Sequence, residues 1–268
     1  MTHNEISIID YFSLETAFAA EFRRLLYNLQ ESEKDGEMKA VMVTSSMLSE
    51  GKSTITSLLA ITAAKKGLKT VIIDSDLRRP VIHQLFKLER QLGLHEILAD
   101  EAAAKSVIKK TSLDNLDVIT AGKISAHPAE VFNGPAIGRL IEEMKFYYDQ
   151  IIIDSAPIIP VSDPLFVANE VDGVVLVIKA GETQREVVKR AVDILKTNHF
   201  KLLGVVLNNM SGSLPYYYDY SYYGYHYEQK PPGLSGKDDR MKSPHGNSTP
   251  DKKKRNDPTQ DKISPKPE

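Results

Sequence analysis

The segment "AVMVTSSMLSEGKSTITSLLAITAAK", Ala40–Lys65, decides the fold. It opens with an apolar, β-branched run typical of a buried strand, crosses a short polar loop and continues with small and apolar residues long enough for a helix. Gly51, Lys52 and Ser53 stand at the junction. In such a loop, backbone N–H groups and the helix N-terminus face a phosphate, the lysine neutralises its oxygens, and the hydroxyl can bind Mg²⁺. The segment therefore predicts a phosphate-binding loop.

The match to the pattern GxxxxGK[ST] is incomplete, because Ser46 stands where the first glycine belongs. A Gly-Lys-Ser triplet alone is weak evidence for a phosphate-binding loop, since a lysine at the start of a surface helix is common. Its position between a strand and a helix favours the phosphate loop. The candidate nucleotide contacts are Ser49, Glu50, Gly51, Lys52, Ser53 and Thr54.

Five more apolar runs follow, and they alternate with helical patterns. They are "TVIIDSD" from Thr70, "LDVITAG" from Leu116, "QIIIDSA" from Gln150, "GVVLVIKA" from Gly173 and "LLGVVLNN" from Leu202, with helices predicted over 53–66, 129–146 and 183–199. This alternation predicts an α/β fold, a mainly parallel sheet with helices on both faces. Upstream, "SLETAFAAEFRRLLYNLQ" predicts an amphipathic helix packed on the sheet, with Phe18, Phe22, Leu25 or Leu26, and Leu29 on one stripe.

Carboxylates follow two of these strands. Asp74 and Asp76 lie at the predicted end of one strand, and Asp154 at the end of another. Either group alone could be a turn former. Because the carboxyl ends of parallel strands share one edge, we expect all three to meet Lys52 and Ser53 around a nucleotide and its Mg²⁺. The candidate metal ligands are Ser53, Asp74 and Asp154, and Asn208, at the end of the last strand, is a candidate nucleotide contact.

Eight of the twelve tyrosines crowd into the segment 216–227. They begin eight residues after Asn208, and a stretch of that length reaches about 25 Å. The phenols are therefore tethered near the predicted phosphate site and are candidate phosphoacceptors. They are Tyr216, Tyr217, Tyr218, Tyr220, Tyr222, Tyr223, Tyr225 and Tyr227.

Composition excludes several classes of protein. The net charge of −2 combines a folded part near −5 with residues 228–268 near +3, which disfavours nucleic acid as the domain's partner. Those last residues hold seven prolines and few large aliphatic side chains, so a disordered polar tail is predicted. The chain has no cysteine, and its apolar runs are too short to span a bilayer. We expect a cytoplasmic protein that reaches the membrane only through a partner.

The phosphate loop, "VIIDSDLRRP", "IIIDSAP" and the tyrosine cluster, in this order, resemble the bacterial tyrosine kinases, or BY-kinases, which are P-loop NTPases. Eukaryotic kinase signatures such as HRD and DFG are absent. The resemblance implies a protein-tyrosine kinase that uses ATP and Mg²⁺, with Lys52, Asp74, Asp76 and Asp154 catalytic. In detail it implies Lys52 and Thr54 on phosphate, Ser53 and Asp154 on the metal, and Asp74 as the base.

The same resemblance implies partners and an arrangement of segments. It implies a homo-oligomer, a membrane-embedded activator, protein tyrosine substrates and a role in polysaccharide synthesis and export. The predicted segments are a kinase domain with an N-terminal helix over 1–210, the tyrosine cluster over 211–227 and the polar tail over 228–268. An ATPase of the MinD/ParA type and an ATP-responsive scaffold are the alternatives.

Two departures from the family pattern are visible. Leu48-Ser49 stands where the family usually has Pro-Gly. The helix motif ExxRxxR, which the family uses for ring-like self-association, reads Glu21, Arg24, Tyr27. An extra early lysine that MinD/ParA proteins carry in the phosphate loop is replaced by Met47, which favours the kinase.

Overall fold

The computed structural model describes residues 7–32, 38–124, 128–132 and 134–209. All of them belong to the first of two units into which the chain divides, Met1–Asp219. The second unit, Tyr220–Glu268, lies outside the described residues, and so do all eight tyrosines of the predicted cluster.

Within the described residues, seven strands form one sheet in the order β3-β4-β2-β5-β1-β6-β7. The strands are β1 (Ala40–Ser45), β2 (Thr70–Asp74), β3 (Ile108–Lys110), β4 (Leu116–Ile119), β5 (Gln150–Asp154), β6 (Gly173–Lys179) and β7 (Leu202–Asn208). Neighbouring strands run parallel except β3, which pairs antiparallel with β4. This confirms the predicted mainly parallel sheet and all six predicted strands.

Helices cover both faces of the sheet. They are α1 (Ile8–Tyr11), α2 (Ala17–Glu31), α3 (Lys52–Lys65), α4 (Ile82–Leu85), α5 (Leu94–Leu98), α6 (Ala104–Val107), α7 (Pro128–Val131), α8 (Ala136–Tyr147), α9 (Asp163–Ala168) and α10 (Arg185–Thr197). Successive strand residues alternate between two hydrophobic cores: Met42 packs under α5–α10, whereas Val41 and Val43 pack under α2–α4. Because the central strands β1, β2 and β5 are buried along their whole length, they read as nearly continuous apolar runs, whereas the edge strand β7 is only partly buried.

The N-terminal helix α2 forms an outer layer. Phe22, Leu26 and Leu29 are buried in the core that covers this face of the sheet, as the predicted stripe requires, and the helix packs mainly against α3. The reason lies in α3, which carries apolar residues on every side and is buried nearly all round, so its side away from the sheet needs cover. Phe18, at the end of the stripe, remains 57% exposed and meets the ring of Phe22 edge-on at 5.1 Å.

Two details differ from the sequence-based expectations. The helix predicted over 129–146 is two helices, α7 and α8, since Pro135 occupies the N-cap of α8 and cannot continue a helix from the preceding turn. Strand β3 was not predicted, because it has only three residues and two of them are lysines.

Candidate active site

The phosphate loop joins β1 to α3 at the carboxyl edge of the sheet. Ser49 and Gly51 both take left-handed backbone conformations, with φ of 63° and 94°. This turn brings the chain into α3, whose first N–H groups have no acceptor inside the helix. The start of α3 therefore offers backbone donors to an anion, as the sequence predicts.

Glu50 holds the loop from within the protein. Its carboxylate is buried, and it accepts hydrogen bonds from Ser46 Oγ at 2.8 Å, Met47 N at 2.8 Å and the hydroxyl of Thr183. Ser46, which stands where the pattern has its first glycine, is therefore one of the donors that hold the Glu50 carboxylate. Glu50 was predicted to contact nucleotide, but its side chain is engaged here, so only its backbone N–H is left for that contact.

Lys52 stands at the centre of the predicted catalytic group. Its ammonium lies 2.9 Å from Asp76 Oδ2 and 3.4 Å from Asp154 Oδ2. Burial lowers the pKa of Lys52, but the carboxylates of Asp154 and Asp76 more than offset this, and the net pKa is raised. The lysine is therefore a fixed positive charge at neutral pH.

Asp154 connects the loop to the sheet. Its Oδ2 accepts the Ser53 hydroxyl at 2.6 Å, and its Oδ1 accepts the Thr56 hydroxyl at 3.3 Å. Burial raises its pKa, while Lys52 and the Ser53 hydroxyl oppose the shift only in part. Thr56, one turn into α3, was not predicted, because the contact spans 98 residues and no local pattern marks it.

Asp74 lies beside Asp154 in the sheet, where the two are register partners on β2 and β5. It is fully buried, and its two oxygens accept backbone N–H groups of Asp76 at 3.2 Å and Ile82 at 3.3 Å. Burial raises its pKa well above the ordinary value, Asp154 adds to the shift, and Lys52 opposes it. Asp74 is thus a strong proton acceptor once ionised.

The donor set suits Mg²⁺. This ion prefers oxygen ligands and is usually held by one or two carboxylates, water and the phosphates of a substrate, without an all-protein cage. Ser53 and Asp154 supply adjacent oxygens, whereas both oxygens of Asp74 accept backbone N–H groups. Among the described residues, no group of three or more His, Cys, Asp or Glu side chains forms a metal cluster.

Asn208, at the end of β7, reaches the same loop. Its Nδ2 donates to the Glu50 carbonyl at 2.9 Å. A Cβ added at Gly51 would lie 2.1 Å from that nitrogen, so a side chain at position 51 would collide with Asn208. The structure therefore places all the predicted loop residues, the carboxylates and Asn208 around one edge.

Arg78 and Asp163 form a further contact that the sequence did not reveal. The guanidinium holds the buried carboxylate of Asp163 with two bonds, at 2.6 Å and 3.2 Å. This pair fixes the segment after β2 to the start of α9. Its residues are 85 apart in sequence, and Asp-Pro at a helix start is otherwise an ordinary capping signal.

The first prediction concerns the hydrogen bonds that the Glu50 carboxylate accepts. Thr183→Val removes one donor from this carboxylate, which costs about 1 to 3 kcal/mol of loop stability. We expect nucleotide affinity to fall about tenfold, with the maximal rate little changed. Calorimetric titration with Mg·ADP measures the affinity, and Thr183→Ser, which keeps the hydroxyl, is the matched control. Equal affinity in all three proteins would show that the hydroxyl does not support the loop.

The second prediction concerns Asp74. Because its folded pKa lies above the ordinary 3.8, the folded chain retains a proton that the unfolded chain releases. Stability should therefore fall as pH rises from about 4 through the raised pKa, by up to about 1.4 kcal/mol per pH unit. Asp74→Asn should flatten this dependence in urea titrations without metal, while Asp193→Asn, on the exposed face of α10, should not. Unchanged slopes would contradict the assignment.

Comparison with known proteins agrees with this geometry. The fold and loop define a P-loop NTPase, and the ParA family, described as NUBPL iron-transfer P-loop NTPase, matches residues 37–222. With no cysteine, this chain offers no thiolate for an iron–sulfur cluster. The solved structure of MinD from Pyrococcus horikoshii is 20% identical with a TM-score of 0.55, which shows the shared fold alone.

Similar proteins narrow the class of P-loop NTPase to which this chain belongs. Tyrosine-protein kinase YwqD of Bacillus subtilis is 35% identical over 84% of this chain and 92% of its own, and the putative tyrosine-protein kinase CapB of Staphylococcus aureus is 34% identical over 78% and 92%. The kinase domain of Escherichia coli tyrosine kinase ETK superposes with a TM-score of 0.74 at 27% identity, covering 82% of this chain and 87% of that one. The chain belongs to the bacterial tyrosine kinase family, as its motifs predict.

One finding bears on the membrane. No helix in the described ranges is long and apolar enough to cross a bilayer.

Proposed function

We propose that this chain is an ATP-dependent protein tyrosine kinase that phosphorylates its own tyrosine cluster. One observation carries the proposal: Lys52 lies between Asp76 and Asp154, beside Ser53, at the edge where β7 ends eight residues before Tyr216. The names of the relatives support it, since they are tyrosine-protein kinases at about 35% identity.

In this proposal the chain's residues position and neutralise the transferring phosphate. The backbone N–H groups of Ser49, Gly51 and Thr54 and the ammonium of Lys52 hold the phosphates of ATP. Ser53 and Asp154 hold Mg²⁺, which when bound neutralises phosphate oxygens. Asn208 completes the nucleotide contacts. Because the transition state of phosphoryl transfer is loose, alignment and charge contribute more than covalent help from the protein.

The phenol must lose a proton during the transfer. Its ordinary pKa is near 10, so it is neutral at pH 7. Asp74 is our choice as the base, supported by its raised pKa, and Asp76 is placed to hold Lys52. Asp74→Asn should then reduce the rate of tyrosine phosphorylation more than it reduces nucleotide affinity.

The test is phosphate mapping by mass spectrometry after incubation of the full chain with Mg·ATP. We expect phosphate between Tyr216 and Tyr227 and none in a variant with all eight positions changed to Phe. Lack of phosphotyrosine in the native chain would contradict the proposal and favour the scaffold or the MinD-type ATPase.

We further propose that the kinase assembles with copies of itself, phosphorylates other tyrosine proteins and is activated by a membrane-embedded partner in polysaccharide synthesis and export. The family resemblance supports these roles. One solved relative is the chimerical protein CapA2B2, whose name pairs CapA with CapB. It is 30% identical to this chain with a TM-score of 0.72, and the match covers 76% of this chain and 89% of its own. On α2, Glu21 and Arg24 form an exposed ion pair at 2.9 Å beside the exposed Tyr27, which would suit a contact between copies.

The third prediction concerns this assembly. Each phosphate adds about −1.5 to −2 charges, so a filled cluster builds repulsion beside an acidic domain. We expect the mass in solution to fall on phosphorylation and to recover after phosphatase treatment, measured by light scattering. Equal masses would contradict the proposed link between phosphorylation and assembly.

A further inference from the structure

A cavity lies away from the proposed active site. It has a volume of about 480 Å³ and opens near the residues where β2, β4 and β5 begin. Lys69 stands directly before β2, and Tyr148 follows α8 just before β5. The strands run from this edge to the opposite one, where Asp74 and Asp154 end β2 and β5. The cavity is therefore separate from the catalytic group.

The lining of the cavity is positively charged. Lys69, Lys105 and Lys110 contribute three ammonium groups, and Asp117 contributes one carboxylate, so these side chains sum to +2. Lys110 already holds Asp117, with Nζ 2.7 Å from Oδ2. The remaining charge favours a ligand with about two negative charges, which is the charge of a phosphomonoester at neutral pH.

The buried carboxylate of Asp117 distinguishes this cavity from a patch of surface lysines. It is only 6% exposed, and its Oδ2 accepts hydrogen bonds from both Lys110 Nζ and Tyr148 Oη at 2.7 Å. Burial and Asp117 raise the pKa of Tyr148, so its phenol stays a donor to this carboxylate. Both bonds end on one oxygen, which leaves Oδ1 to accept a hydroxyl group from a ligand.

The exposed ring of Tyr147 indicates which chemical group the ligand carries besides its phosphate. Tyr147 is 43% exposed, and Lys105 Nζ lies 5.2 Å from the centre of its ring. A half-exposed ring beside a cation gives a stacking surface for a sugar or a base. Ile108 is the one aliphatic residue of the lining, and the others are lysine, asparagine, aspartate and tyrosine, which disfavours an acyl chain. A volume near 480 Å³ fits a molecule of this size.

We propose that this cavity binds a small phosphomonoester of a sugar or a nucleoside, with the phosphate on Lys69, Lys105 and Lys110, a hydroxyl on Asp117 and the ring against Tyr147. The ligand is bound and not transformed. The assignment stands on the cavity alone and does not depend on kinase activity.

The test is calorimetric titration of the full chain with glucose 1-phosphate, UMP, glucose and inorganic phosphate, each in the presence of saturating Mg·ADP. The ADP keeps UMP from the proposed nucleotide site. We expect at least one of the two esters to bind with a Kd below about 1 mM, and glucose not to bind. The ester that binds more tightly identifies a sugar or a nucleoside as the physiological class.

Two variants locate the binding. Lys105→Ala with Lys110→Ala should weaken the ester at least tenfold, because two charge-assisted contacts are lost. Both side chains are exposed, so the fold should be retained, and Lys189→Ala with Lys196→Ala on α10 is the matched control for charge. Asp117→Asn should weaken the ester relative to inorganic phosphate, because it removes the charged acceptor for the ligand hydroxyl and at the same time frees Lys110 for any phosphate.

Three results would overturn the proposal. They are failure of both esters to bind at 5 mM (about five times the expected upper Kd), unchanged binding in the Lys105/Lys110 variant, and inorganic phosphate as tight as the ester. The last would mean that the lysines attract any anion and that Asp117 and Tyr147 recognise nothing.

Discussion

Lys52→Met should lower the rate of autophosphorylation by about 1,000-fold or more. The ammonium is the cation that the structure holds among Asp76, Asp154 and Ser53, and methionine is an unbranched, uncharged side chain one atom shorter. Phosphate oxygens at this loop would lose their main protein counter-charge. Rates of phosphotyrosine formation at saturating Mg·ATP measure the effect, and Lys189→Met on exposed α10 should behave as the native chain does.

The same variant should also change stability in a pH-dependent way. Removing one partner from a buried ionic group costs about 3 to 5 kcal/mol, because the carboxylates left behind are uncompensated. The pKa values of Asp74 and Asp154 are already raised by burial, so without Lys52 these groups should protonate more readily. The loss should therefore be larger at pH 8 than at pH 5 in urea titrations. Retained kinase activity in a folded Lys52→Met protein would remove Lys52 from the mechanism.

Asp154→Asn should lower the rate about 100-fold and weaken the dependence on Mg²⁺. The carboxylate accepts the Ser53 hydroxyl at 2.6 Å and contacts Lys52 at 3.4 Å, so it orients the group that would hold the metal. Asparagine keeps the shape but lacks the charge, so we expect the Mg²⁺ concentration at half-maximal rate to rise. Kinase assays over a range of Mg²⁺ test this.

Asp193→Asn makes the same chemical change on the exposed face of α10 and is the control for this experiment. Circular dichroism melting should show that Asp154→Asn is folded before its rate is interpreted. A rate and Mg²⁺ dependence equal to those of the control would exclude Asp154 from metal binding.

The sequence predicted the architecture because that information is local. The central strands β1, β2 and β5 are buried on both faces and so appear as nearly uninterrupted apolar runs, and the Gly-Lys-Ser turn sits between a strand and a helix. Once the sheet is parallel, Asp74 and Asp154 must share an edge, and the structure pairs them on neighbouring strands. The topology therefore brings Lys52, Asp76 and Asp154 to one edge, although it does not fix the contacts between their side chains.

What sequence could not predict are contacts between distant side chains. Thr183 reaches Glu50 across 133 residues, and Tyr148 reaches Asp117 across 31, with no pattern in either neighbourhood to announce it. Glu50 illustrates the difficulty, because a glutamate in an exposed loop is normally solvated, yet here it is 3% exposed. The role of the tyrosine cluster stays a prediction, because its residues lie outside the described part of the chain.

The contact between Gly51 and Asn208 ties two sites that are far apart in the gene. Since a methyl group at position 51 would fall 2.1 Å from the Asn208 amide and the backbone there has φ of 94°, Gly51→Ala would displace that amide and also strain the backbone. Laboratory evolution that starts from Gly51→Ala should therefore recover chiefly by reversion to glycine, because a smaller residue at position 208 relieves the clash but leaves the backbone strain.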